Sequence, residues 1–114
     1  MSTPPTKEQL TDWRERVAAL DKLSDQAIPW FGAYEVANRI NTELAKGRTL
    51  QGGCAYRTLR WAKKLRDGGY TDLAETARKL AQDMIPYENI PSPGWKTMCD
   101  ELGFEHTPVT NNDY

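Results

Sequence analysis

Four cations between Arg57 and Lys64 are the side chains with the most chemical capacity in this chain. On a helix advancing about 100° per residue, Arg57, Arg60, Lys63 and Lys64 fall on one side with Tyr56. Cys54, Thr58, Trp61, Ala62 and Leu65 fall on the other, widened by Ala55 and Leu59. A basic face carrying an aromatic can grip phosphates, each contact adding salt dependence. It can equally meet an acidic protein surface and speed oriented association. The plainer alternative is a solvated face balanced by Glu101, Glu105 and Asp113 folded against it.

Other reactive types are sparse. His106 is the only histidine, which excludes a two-histidine metal site and an H-E-x-x-H helix within one chain. Cys99 precedes it with Asp100, Glu101 and Glu105 close by. Those carboxylates would raise a thiol pKa, the wrong direction for a nucleophile, so a core-facing Cys99 is expected. Glu8, Asp12 and Glu15 share a helical face, but without Glu-x-x-His partners they read as a solvated acidic surface. Ser2, Ser24 and Ser92 have the look of cap or tail residues, and neither G-x-S-x-G nor a phosphate-binding Gly-Lys-Ser/Thr loop occurs. No catalytic residue, metal or cofactor is expected.

Trp30 and Phe31 form the second candidate. They follow Pro29 in a turn, where an exposed aromatic pair would serve as a binding anchor and a buried pair would cap the end of a bundle.

These residues must be positioned by helices. Thr6 to Gln9 has capping-box form, and Leu10, Trp13, Val17 and Leu20 continue at steps of three and four, predicting a first helix that ends near Leu23. Ala33, Val36, Ala37, Ile40 and Leu44 predict a second helix to Lys46, closed by Gly47. The third runs from Cys54 to Asp67 and stops at Gly68 and Gly69. Thr71 is the expected N-cap of a fourth, with Leu73, Ala77, Leu80 and Met84 inside and Pro86 at its end. Ser92 and Pro93 open a short fifth carrying Trp95, Met98, Cys99 and Leu102, closed by Gly103. No segment alternates as a strand should.

Gly32-x-Tyr34 and Gly68-x-Tyr70 both reach Leu-Ala further on, at Leu44 and Leu80, an offset of 36 residues. The second turn with its preceding helix resembles a tetratricopeptide hairpin. The helix before Gly32 is interrupted between Ser24 and Pro29, and helix three lacks the Leu-Gly pair of that repeat. Shared turn chemistry accounts for the similarity. A helix-turn-helix reading fails because Asp72 and Glu75 at the start of the fourth helix would repel phosphate.

The 114 residues suit one domain, here a helical unit over 1–104 followed by a tail over 105–114. Net charge is −1, yet the stretch between Ala45 and Ala81 holds nine Lys/Arg against three Asp/Glu. A mean hydropathy of −0.74 confines the core to one stripe per helix. Two cysteines cannot build a disulfide framework, Met1 to Thr6 lack the basic start and apolar run of a leader, and no run approaches the ~20 apolar residues of a membrane span. Cytoplasm is the expected compartment.

The expectation is thus an all-α bundle of four main helices plus a short fifth, with helices three and four as an antiparallel hairpin. The expected function is non-enzymatic: modulation or inhibition of a larger protein with an acidic surface, through Arg57, Arg60, Lys63, Lys64, Tyr56, Trp30 and Phe31. A nucleic-acid-binding accessory role on the same face is the alternative. Membrane is not expected as a partner, and oligomeric state is left open.

Overall fold

Thr6 opens α1, Lys7–Asp25, with the expected reciprocal cap: the Gln9 N–H donates to Thr6 Oγ1 at 3.1 Å and the Thr6 N–H to Gln9 Oε1 at 2.8 Å. The computed structural model describes residues 4–46, 50, 52–88 and 94–109. Four further helices follow: α2 Ala33–Lys46, α3 Cys54–Asp67, α4 Thr71–Met84 and α5 Trp95–Leu102, with a 3-10 turn Ile85–Tyr87 where Pro86 ends the α4 ladder. Among the described residues there is no named strand, only an isolated parallel bridge between Leu50 and Glu88.

The apolar stripes meet in one contiguous core. Leu10, Trp13, Val17 and Leu20 of α1 join Val36 and Ile40 of α2, Leu59 and Leu65 of α3, Leu80 and Met84 of α4, and Trp95, Met98 and Leu102 of α5. Leu44 and Leu73 sit at its edge, half-buried. Helices α3 and α4 form the closest pair, joined by a three-residue connection. Helix α1 lies against α2 and α4, and α5 packs on α3.

The α3–α4 connection shows why the hairpin turns where it does. Gly69 takes φ +88°, the Gly69 N–H donates to Arg66 O and the Tyr70 N–H to Leu65 O at 2.9 Å, which satisfies the last carbonyls of α3. The reversal is then complete one residue early. Tyr70, not Thr71, is the N-cap of α4, without a side-chain cap bond, and Thr71 is the first helical residue. Gly103 closes α5 in the same way at φ +77°, with the Phe104 N–H on Cys99 O at 2.8 Å. Gly47, Ser92 and Pro93, expected to punctuate α2 and α5, lie outside the described residues.

A second correction concerns Ser24. It belongs to α1 and is fully buried, because its hydroxyl accepts the Trp61 indole N–H at 3.1 Å. Helix α1 therefore runs to Asp25 rather than stopping near Leu23. Beyond α5, residues 105–109 form no regular element, although the Trp95 indole donates to Thr107 O at 3.0 Å and Val109 packs against the core.

Candidate functional site

The inner side of α3 is buried as its periodicity requires, from Cys54 through Leu65. That burial fixes the rotation of the helix and turns Arg57, Arg60, Lys63 and Lys64 outward. The turn after α1 then brings Trp30 and Phe31 across to the same face. Trp30 stacks on Trp61 with ring centroids 5.9 Å apart and planes 7° from parallel. The two sequence-derived candidates, the basic face and the aromatic pair, thereby line one groove of about 500 Å³.

Trp30 and Phe31 separate in role. Trp30 is buried at 5% exposure and forms the floor with Trp61, so the pair is not jointly exposed. Phe31 is 88% exposed on the rim, against the ordinary tendency of a large aromatic to bury itself. Tyr34, the second residue of α2, is 75% exposed beside it. Leu102 of α5 contributes an apolar wall. Gly32 allows the close approach, since a Cβ there would meet Trp30 Nε1 at 3.2 Å.

The cations are not equivalent. Arg57 Nε lies 2.7 Å from Glu35 Oε2 of α2, and its Nη1 donates to Gly53 O at 3.2 Å. Lys63 pairs with Asp67 on its own helix at 2.6 Å. Arg60 and Lys64 are exposed and make no ion pair among the described residues. Arg60 also lies over the Tyr56 ring at 5.7 Å. Tyr56 itself points away from the groove line: its hydroxyl donates to Glu101 of α5 at 3.0 Å, and that bond is the main cause holding its pKa above the ordinary value. Glu101 is thus engaged by a phenol and not by the basic face, and Asp113 lies outside the described residues.

Glu35 is the groove residue that sequence reasoning missed. Its position one helix away in the chain gave no local signal, and only the packing of α2 on α3 brings it to Arg57. Arg66, also unremarked, caps α5: it donates to Gly103 O at 2.8 Å and Leu102 O at 3.0 Å and stacks on Phe104 at 4.4 Å. These bonds hold Leu102 against the groove.

The thiols lie elsewhere. Cys54 and Cys99 are unpaired and buried. Burial, helped by Glu88, pushes Cys54 up to about 12, and burial raises Cys99 to about 11, with Arg78 opposing and Asp100 assisting. Neither holds a useful thiolate fraction near neutrality. No group of three metal-ligating side chains occurs among the described residues, and no described helix is long and apolar enough to cross a membrane. What the groove can do chemically is bind: it offers an apolar floor, an exposed aromatic edge and a wall of positive charge. Comparison with protein-family models, curated proteins and solved structures found no match.

Proposed function

We propose that the protein is a non-enzymatic interaction module that modulates or inhibits a larger protein by occupying an acidic surface through the α3 groove. The observation that carries this reading is the convergence of Arg60, Lys64 and the 88%-exposed Phe31 on one concavity. Aromatic and arginine anchors that become buried at the centre of an interface supply most of the energy of protein recognition, while the surrounding charge steers the encounter.

Phe31 among cations also suits stacking of a nucleic-acid base, the alternative role. Two of its four cations, Arg57 and Lys63, are paired with Glu35 and Asp67, which leaves Arg60 and Lys64 as a short basic track for a phosphate backbone.

Replacing Phe31 with a photo-crosslinking phenylalanine analogue, and irradiating in extract of the native host, tests the proposal. The expected product is a discrete protease-sensitive, nuclease-resistant adduct, lost in the double variant Arg60→Glu, Lys64→Glu. A nuclease-sensitive adduct would establish the nucleic-acid role instead, and an adduct indifferent to the double variant would remove the basic wall from the site.

A further inference from the structure

Resting on that reading, we infer that the groove binds a short extended acidic segment of its partner, with apolar residues alternating between carboxylates, and that Glu35 occupies the place of one partner carboxylate until binding.

Glu35 shows what the groove accepts. It is a carboxylate held 2.7 Å from Arg57 by nothing but that pairing in the described structure, with 58% of its side chain exposed and 35% of Arg57's. An ion pair this open contributes little stability, since water screens it and two side chains must be ordered to form it. It is exchangeable: a partner carboxylate can take Arg57 at small cost, and Glu35 returns to water.

The remaining cations set the spacing of the segment. Arg60 and Lys64 are four residues apart on α3, about 6 Å along the helix axis. Alternate residues of an extended chain are roughly 6.6 Å apart and point the same way. Acids at alternate positions therefore reach both cations from one side of the segment. The intervening side chains point oppositely, toward the stacked Trp30 and Trp61, Leu102 and the Phe31 edge.

The probe is the blocked peptide acetyl-Gly-Glu-Phe-Glu-Leu-Glu-Gly-amide, titrated into the full chain by isothermal calorimetry, with tryptophan emission as the second readout. The comparison ligands are the same peptide with Ser for Phe and Leu, the same peptide with Lys for Glu, and an eight-nucleotide oligothymidine. Binding of the first peptide should weaken at least tenfold in Arg60→Glu, Lys64→Glu and about fivefold in Phe31→Ser, with melting temperatures unchanged. Glu35→Gln should tighten it about threefold. The serine peptide should bind at least tenfold more weakly and the lysine peptide not at all. Equal binding of the serine peptide would reduce the site to diffuse charge, and tighter binding of oligothymidine would assign it to nucleic acid. Unchanged or weaker binding in Glu35→Gln would overturn the exchange, and no binding of the peptide would overturn the segment. The crosslink at Phe31 keeps the two levels apart: a peptide failure with the crosslink still charge-dependent leaves a protein partner in place and removes only its segmental form.

Discussion

Glu88 is a carboxylate placed where a helix begins and water does not reach. It is 2% exposed, accepts the Ala55 N–H at 2.7 Å, and has the Gly53 and Cys54 N–H groups turned on it as well. Helix N-termini favour anions, yet burial outweighs those donors and the nearby Arg39, and pushes Glu88 up to about 7. The folded state therefore holds the proton more tightly than the unfolded chain, whose Glu titrates near 4.5. The stability tied to that proton is fully present below pH 4.5 and is lost as pH rises through about 7. Its full span is on the order of 3 kcal/mol. Urea melts between pH 5 and 7.5 should show wild-type stability falling across this window, and Glu88→Gln should flatten the fall. An unchanged slope would place the titration elsewhere. Asp67 and Glu75, held low chiefly by Lys63 and Arg78, lose their contributions in the opposite direction, as pH falls. Ser24 is a simpler case: Ser24→Ala strands the buried Trp61 indole N–H and should cost about 1–3 kcal/mol, checked by denaturant midpoint. Neither Ser24 nor Glu88 was legible in the sequence. Each buried polar group is justified by a partner more than thirty residues away, and no local pattern encodes that.

At the level of the element, periodicity did most of the work. The stripes of α1 to α5 read directly from three- and four-residue spacing, because each helix has one face to bury and this chain has few apolar residues to spare. Ends were harder where hydrogen bonds beyond the stripe decide them. Thr71 has the better capping side chain, but the left-handed Gly69 reverses the chain so early that Tyr70 takes the cap position. Gly69 also separates backbone strain from packing, since an added Cβ there would meet nothing within 4 Å. Gly69→Ala should therefore destabilise by about 1–2 kcal/mol through its positive φ alone, with Gly69→Asn costing less. Equal stability of the three, measured by thermal melts, would mean that the turn can rearrange. Core positions give the contrast: Leu65→Ala and Leu80→Ala, both on buried stripes, should each cost about 2–5 kcal/mol.

Across the whole molecule, the basic middle of the sequence does not become an unbroken basic surface. Folding distributes it: Lys63 returns to Asp67, Arg66 caps α5, Arg78 pairs with Glu75, and Arg57 is met by Glu35 from the acidic first third. Arg60 and Lys64 remain open on the groove wall beside an aromatic rim supplied by the turn before α2. Both halves of this site were visible in the sequence, but their union was not, since it depends on how the 26–32 turn crosses α3 to stack Trp30 on Trp61. The consequence is a division of labour that kinetics can resolve. Exposed charges act over a distance of about a Debye length, so Arg60→Glu with Lys64→Glu should lower the association rate at least tenfold in dilute buffer, and by less at high salt. Phe31 makes contact only after docking, so Phe31→Ser should chiefly raise the dissociation rate. Both changes sit on exposed side chains, and folding stability should move by less than about 0.5 kcal/mol in each. Stopped-flow mixing with the captured partner distinguishes them. If Phe31→Ser slows association as much as the charge reversal does, steering and anchoring are not separate, and the ring must meet the partner in the encounter itself.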